Sequence, residues 1–104
     1  MIKAKTILKY KAKTRGQLVE QAQKLVNAFV RNRDAINDRS DFVCISCGKY
    51  KPKHQCNAGH YFSRSTYPSV RFDLDNIHGQ CIQCNLHQHG NLIPCRANLI
   101  KKNR

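Results

Sequence analysis

The sequence predicts a small α+β domain in which one long helix precedes a group of short strands and a final helix. Apolar side chains recur at helical spacing over residues 17–33. From Phe42 onward, short apolar pieces alternate with turn residues, as is typical of hairpin strands. Two Cys-x-x-Cys pairs enclose most of that second region. A chain of 104 residues has room for one hydrophobic core, so we expect one domain.

The predicted long helix over residues 17–33 has a wide apolar stripe. Its members are Leu18, Ala22, Leu25 and Phe29, widened by Val19, Val26 and Val30. Thr14 or Gly16 could cap its N-terminus. We interpret the stripe as core packing and assign it no functional role.

The second half of the chain predicts short strands and two further helices. The expected strands are Phe42–Val43, residues 59–62 and residues 70–72. A short helix is predicted over residues 85–89, ended by Gly90, and a final helix over residues 92–101. Pro94 lies in the first turn of that final helix, where proline is tolerated.

The two cysteine pairs predict a metal site. Cys44 and Cys47 form the first pair, and Cys81 and Cys84 form the second. Two intervening residues let both thiolates of a pair converge on one tetrahedral Zn²⁺, and Gly48 follows the first pair as in a zinc knuckle. The loop between the pairs is longer than in the common zinc signature, so a hairpin must fold inside it. Four thiolates close the coordination sphere, so this zinc is expected to be structural.

A redox-active pair or disulfides are the alternatives to zinc. No apolar run is long enough for a secretory signal or a membrane-spanning helix, so we expect a cytoplasmic protein without membrane association. Disulfides are rare in that compartment. Cys56 and Cys95 lie outside the pattern, and we interpret them as small buried residues or free thiols.

The charge of the chain predicts a polyanionic partner. Nineteen Lys and Arg against six Asp and Glu give a net charge of +13, which argues against a neutral or cationic substrate and favours nucleic acid. No acidic residue occurs in residues 1–15 or 42–72. We expect 1–15 to be a basic arm that orders on phosphate, with an edge strand as the alternative, and 16–104 to be the folded domain.

The DNA-binding candidates are Lys9, Lys11, Lys13, Arg64, Arg71, Lys101 and Lys102. The alternative is a set of solvated surfaces.

Four residues between and after the cysteine pairs resemble the HNH, or His-Me finger, nuclease motif. These are His60, Asn76, Asn85 and His87. In that motif a His ends the first hairpin strand, an Asn precedes the second knuckle, and a metal-binding residue opens the following helix. The resemblance implies a zinc-bound ββα core, here with an N-terminal and a C-terminal helix around it.

The resemblance narrows to one family, the NinG proteins of lambdoid phages, also called Rap. The matching segments are 21–47, 58–61, 71–72, 76–78, 80–81, 84–85, 90–94 and 99–100, together with His87 and Arg96. The family implies a metal-dependent, structure-selective DNA endonuclease that cleaves Holliday junctions and D-loops during phage recombination, in the host cytoplasm. Cys84-Asn85 also resembles endonuclease VII, a phage junction resolvase in which the corresponding Asn binds the catalytic metal.

The motif implies a role for each residue. His60 would accept the proton of the attacking water as general base. Asn76 would orient the His60 ring, although it could merely cap a turn. Asn85 would bind a catalytic Mg²⁺ or Mn²⁺, or it could be only a helix N-cap. His87 is a second candidate for metal or phosphate.

One position departs from the motif. Related nucleases usually have a carboxylate or His one residue before the base, where this chain has Gly59. Asn57 is our candidate for the second ligand of the catalytic ion, and a neutral amide binds a divalent cation less strongly than a carboxylate does. Asp75, a backbone carbonyl or a DNA phosphate could complete the site instead.

Two other functions remain open from the sequence. One is a non-catalytic zinc module that binds branched or double-stranded DNA. The other is an HNH nicking endonuclease without branch preference. Symmetric cleavage of a junction needs two active sites, which is compatible with a homodimer.

Overall fold

The computed structural model describes residues 13–102, which form a small α+β domain, as predicted. Its helices and strands are α1 (Arg15–Asp34), β1 (Phe42–Val43), β2 (Tyr50–Lys51), β3 (Cys56–His60), β4 (Ile77–Cys81) and α2 (Leu92–Lys102). Three 3₁₀ turns and one π-turn lie between them: Lys53–Gln55, Pro68–Val70, Leu74–Asn76 and Gln83–His87. Lys9 and Lys11 of the predicted basic arm fall outside the described residues. No helix in the described part of the chain is both long and apolar enough to cross a membrane.

Two small antiparallel sheets build the centre of the domain. β1 pairs with β2, and β3 pairs with β4 over five residues each. In the second hairpin Cys56 lies opposite Cys81 at one end, and His60 lies opposite Ile77 at the other. The hairpin therefore carries a zinc-knuckle cysteine and the predicted base at opposite ends.

Helix α1 begins with a capping box at Thr14. The Thr14 hydroxyl accepts from the Gln17 backbone N–H at 3.1 Å, and the Gln17 side chain accepts from the Thr14 N–H at 2.9 Å. Two donors that the helix start would leave unpaired are thereby satisfied. Thr14, and not Gly16, is the cap, and the helix begins two residues before the predicted start.

The predicted apolar stripe of α1 faces the core only in part, through Val30. Leu25 is 68% exposed and Phe29 is 54% exposed, whereas the buried residues of the helix are Gln23 and Val30. Polar contacts at the end of α1 fix its rotation. Asp34 accepts from the Gly79 N–H at 2.7 Å, and Arg33 donates to the Ile77 carbonyl at 2.7 Å.

Three other predicted elements differ from the structure, although residues 59–60 of the predicted strand 59–62 do lie in β3. Residues 61–62 and 70–72 are not strands, because the Asn76 side chain bonds the main chain of Phe62 and Val70 in place of a strand partner. The segment predicted as a helix over 85–89 is instead the π-turn, closed by a 2.7 Å bond from the Gly90 N–H to the Cys84 carbonyl. The predicted final helix is confirmed as α2 and ends one residue later than expected.

Candidate functional site

The four predicted knuckle cysteines form one compact cluster. The Sγ atoms of Cys44, Cys47, Cys81 and Cys84 all lie within 4.8 Å of one another. Tetrahedral Zn²⁺ with bonds of about 2.3 Å places its sulfur ligands about 3.8 Å apart, and the Sγ atoms of Cys47 and Cys81 are separated by 3.9 Å. The four cysteines could therefore hold a structural metal ion such as zinc.

Backbone N–H groups point at this cluster. The N–H groups of Cys81 and Cys47 donate to Cys44 Sγ at 3.3 and 3.5 Å. Burial raises the pKa of the Cys44 thiol, but these N–H donors outweigh it and bring the pKa to about 7. Burial raises the pKa of Cys84 to about 12. Adjacent buried thiolates repel one another, and the positive charge of a bound cation would offset that repulsion and keep the coordinating thiols deprotonated.

Cys56 and Cys95 lie outside the cluster and are packing residues, as predicted. Burial raises the pKa of Cys56 to about 11 and also raises the pKa of Cys95, so both thiols are neutral near pH 7. Cys56 packs against the buried group formed by Phe42, Cys44, Cys81 and Cys84.

A cleft of about 510 Å³ runs beside β3, from Asn57 to His60. Its lining residues are Asn27, Arg31, Asn57, Ala58, His60, Ser63, Arg64, Asn85 and Leu86. Four of our predicted site residues therefore meet in one place: His60, Asn57, Asn85 and Arg64. The other predicted residues that we placed near the base, Asn76, His87 and Arg71, do not line this cleft.

The His60 ring is held by a main-chain carbonyl. Its Nε2 lies 2.9 Å from the Arg71 carbonyl oxygen. A carbonyl only accepts, so the neutral ring carries its proton on Nε2 and leaves Nδ1 as the acceptor. Burial lowers the pKa of His60, and the nearby charges of Arg64 and Arg71 lower it further, although the carbonyl contact raises it. The ring is therefore neutral near pH 7, as a general base must be.

Asn76 has a different place from the one we predicted. Its buried side chain accepts from the Phe62 N–H at 2.8 Å and donates to the carbonyls of Phe62 and Val70 at 3.1 and 3.3 Å. It holds the two ends of the loop that follows His60. The close partner of the ring is the Arg71 carbonyl, on the residue after Val70.

The predicted phosphate-binding arginines are partly neutralised by one carboxylate. Arg71 Nη2 lies 2.7 Å from Glu20, and Arg64 Nη1 lies 3.8 Å from it. The hydrogen bond from Arg71 lowers the pKa of Glu20. Arg64 still lines the cleft and is half exposed, whereas the Arg71 side chain is mostly buried against α1.

The other predicted DNA-binding side chains lie elsewhere. Lys13 donates to the Gln21 side chain on α1. Lys101 is exposed in the last turn of α2, and Lys102 lies 3.8 Å from Asp34.

Sequence reasoning missed Asn27 and Arg31, which α1 contributes to the cleft. Arg31 is exposed, and within residues 13–102 it forms no ion pair. Gln23, Asn27 and Arg31 recur every four residues, which puts three polar side chains in one row of the helix. That row was the available signal, but the apolar stripe beside it dominated the interpretation.

The structure also gives a reason for Gly59. A Cβ at this position would collide with the side-chain amide of Gln80. Gln80 is buried and donates to the Ser46 hydroxyl and the Gly90 carbonyl, so it cannot move aside cheaply. Position 59 therefore excludes a metal-binding side chain, and the cleft offers the amide oxygens of Asn57 and Asn85 to a hard cation.

The comparisons with known proteins place the chain in a family. Residues 2–103 match the family described as "Bacteriophage Lambda NinG protein". Relatives named "Protein ninG" are 46% identical in Escherichia phage 933W and Salmonella phage P22 and 45% identical in Escherichia phage lambda, each over 96 residues. These matches cover 92% of this chain and 44–45% of the relatives, so the chain spans less than half their length. No solved structure matches it significantly. The chain belongs to the NinG family of lambdoid phages.

Proposed function

We propose that this chain is a metal-dependent endonuclease of the HNH, or His-Me finger, type that cleaves branched DNA intermediates of phage recombination. One observation carries the proposal. A half-buried, neutral His60 whose Nε2 faces a carbonyl shares a cleft with Asn85, the residue directly after the last knuckle cysteine. In this proposal the antiparallel β3–β4 hairpin and the short turn at Gln83–His87 would serve as the ββα frame of the motif.

Hydrolysis of a phosphodiester needs a base for the attacking water. His60 donates its Nε2 proton to the Arg71 carbonyl, so the lone pair lies on Nδ1. In this proposal Nδ1 accepts the proton of the water. The depressed pKa keeps the ring neutral at physiological pH. Arg31 and Arg64, which line the same cleft, would bind the phosphates beside the reacting bond by charge-assisted hydrogen bonds.

The second requirement is a divalent cation. Asn85 and Asn57 would hold Mg²⁺ or Mn²⁺ through their amide oxygens. Such an ion supplies Lewis-acid stabilisation of the leaving oxygen. Two neutral ligands make a weak site, so we expect millimolar metal dependence and a contribution from DNA phosphate to the ion's coordination.

Selectivity for branched DNA rests on the family resemblance alone. The net charge of +13 supplies affinity for any DNA, and this affinity should decrease steeply with salt. A homodimer would place two clefts on the two strands of a junction.

The test is cleavage of a labelled four-way junction and of a duplex of matched sequence, in Mg²⁺ or Mn²⁺. His60→Ala should lower the cleavage rate about 10²- to 10⁴-fold, as expected for loss of a general base, while zinc content and junction binding stay at the wild-type level. His54→Ala is the matched control. His54 lies in the turn Lys53–Gln55 and does not line the cleft, so this variant should cleave normally.

A second candidate function is non-catalytic DNA binding, which the neutral metal ligands favour. Binding of the junction without cleavage by the wild type, over several divalent metals, would establish that function and reject the nuclease. Equal cutting of junction and duplex would instead leave a nicking endonuclease without branch preference.

A further inference from the structure

Gln23 is the most deeply buried polar side chain of α1, with 1% of its surface exposed. Its Oε1 accepts from Arg71 Nε at 2.8 Å, and its Nε2 donates to Asn27 Oδ1 at 2.8 Å. An arginine Nε can only donate, so the amide oxygen must face Arg71 and the amide has one orientation. A buried amide is costly unless both ends are paired, and here both ends are.

Arg71 connects this amide to the proposed base. Its side chain is held by Gln23 and by Glu20, at 2.8 and 2.7 Å, while its main-chain oxygen contacts His60 Nε2 at 2.9 Å. The Gln23 Nε2 atom lies 3.5 Å from that ring nitrogen, but both atoms are donors in this arrangement, so Gln23 acts on the ring through Arg71 and not by a direct hydrogen bond. Contacts with α1 therefore fix the side chain of Arg71, and the Arg71 carbonyl contacts the His60 ring.

The loop carrying Arg71 needs such support. Between β3 and β4 the chain forms only short 3₁₀ turns, and Asn76 fixes it at Phe62 and Val70. Arg71, the residue after Val70, supplies the carbonyl that contacts Nε2 of His60. A free imidazole exchanges its proton between Nδ1 and Nε2, and a ring with Nδ1 protonated cannot act as the base through that atom.

We propose that Gln23 is a positioning residue, which holds the Arg71 side chain so that the Arg71 carbonyl keeps His60 in its Nε2-protonated tautomer. This inference rests on the proposed function for the role of the ring. It makes a separate structural claim, however, about which atoms set the state of that ring.

The first test substitutes Gln23→Leu, which has a similar volume and no polar atoms. Nitrogen-15 spectra of the zinc-loaded protein, recorded at about pH 8 where the ring is neutral, should show a single Nε2-protonated tautomer in the wild type and a mixture in the variant. The kcat for junction cleavage should fall about tenfold, the size expected for one lost hydrogen bond near the base, with little change in KM. Gln21→Leu on the same helix is the control and should leave both the tautomer and kcat unchanged, because its side chain pairs with Lys13.

Two further variants keep the inference falsifiable if Gln23→Leu loses zinc or fails to fold. Gln23→Glu retains an acceptor for Arg71 Nε and should preserve the single tautomer. Arg71→Lys keeps the charge and the carbonyl but cannot reach Gln23 and Glu20 with a planar fork, so it should give the mixture. A single Nε2-protonated tautomer in Arg71→Lys, together with unchanged kcat, would overturn the inference.

The outcomes for the two proposals can be told apart. If the wild type cleaves and Gln23→Leu keeps both kcat and the tautomer, the positioning role is wrong and the nuclease stands. If the wild type cleaves nothing but the variant loses the tautomer, the positioning contact stands and the nuclease is wrong.

Discussion

The β3–β4 hairpin carries two sites, the cysteine cluster and the cleft, that differ in how completely the protein supplies their ligands. At the Cys56–Cys81 end, four thiol ligands are close enough to fill a tetrahedral sphere and are mostly buried. The cleft, which runs beside β3 as far as His60, offers one neutral His and three neutral amides, those of Asn27, Asn57 and Asn85, and it is open to solvent. A site whose ligands are complete within the protein can only hold a metal, whereas an incomplete site leaves coordination positions for substrate. The same hairpin thus carries a closed cysteine cluster that could hold a structural metal and an open cleft that is the site of the proposed chemistry.

Breaking the knuckle should have the largest effect. Cys81→Ser removes one thiolate from the cluster, and metal binding in such sites contributes on the order of 10 kcal/mol to folding. We expect this variant to lose zinc and its cooperative thermal unfolding transition, measured by metal analysis and circular dichroism. Cys56→Ser, directly opposite on β3, should keep the metal and lose about 1–2 kcal/mol. A metal content near zero in the wild-type protein would show that the four cysteines do not form a metal site.

The next effect is expected at Arg31 in the cleft. Arg31→Ala removes a cation that has no ion-pair partner in the described residues, so DNA should bind about tenfold more weakly. The slope of log binding constant against log salt concentration should decrease in magnitude by about one. Arg39→Ala is the matched control, because Arg39 pairs with Asp41 and lies outside the cleft. Binding isotherms at several salt concentrations measure both quantities. Equal losses in the two variants would show that only total charge matters.

A smaller effect should follow from giving the cleft a charged ligand. Asn57→Asp replaces an amide oxygen by a carboxylate, so half-maximal cleavage should need several-fold less Mg²⁺. Asn32→Asp adds the same charge on α1 outside the cleft lining and should not change the Mg²⁺ requirement. If both variants respond equally, the effect is one of long-range charge, and Asn57 is not a ligand.

The smallest effect is expected in the pH dependence of cleavage. The base must be neutral, and burial holds the pKa of His60 below its ordinary value, so kcat/KM should stay level through neutral pH and fall only on further acidification. Arg64→Gln removes a cation that lowers this pKa, so the acid limb should move to higher pH. Zinc content measured at each pH separates this effect from loss of the knuckle. An acid limb unmoved by Arg64→Gln would place the titrating group elsewhere.

The cysteine cluster and helix α1 itself were predicted correctly, whereas the buried face of α1 was predicted only in part, and these outcomes have related physical causes. Ligands of one metal ion must converge within bonding distance, so the choice of zinc over a redox pair or disulfides predicted that the two Cys-x-x-Cys pairs form one cluster. The apolar stripe of α1 had no such requirement, since Leu25 and Phe29 can remain exposed at modest cost. The rotation of the helix depends on specific polar contacts of Arg33 and Asp34 with β4, which periodicity does not encode.

The cleft was predicted only in part for the same reason. His60, Asn57 and Asn85 lie close to the cysteine pairs in sequence, and the hairpin and knuckle place them together. Arg31 lies on α1 and enters the cleft only because that helix packs on β3–β4 with its polar row inward. The partner of His60 is a main-chain oxygen, and no side-chain pattern can reveal such an atom.

By itself, the sequence determined the α+β class, the cysteine cluster, the cationic character of the chain and the resemblance on which the nuclease proposal rests. These properties follow from residue types at short spacings and from total charge. The tertiary structure decided which face of α1 is buried, why Gly59 carries no side chain, and which oxygen holds the His60 ring. Those outcomes depend on contacts between residues as far apart as Gln23 and Arg71, whose geometry exists only once the helix is docked on the hairpin.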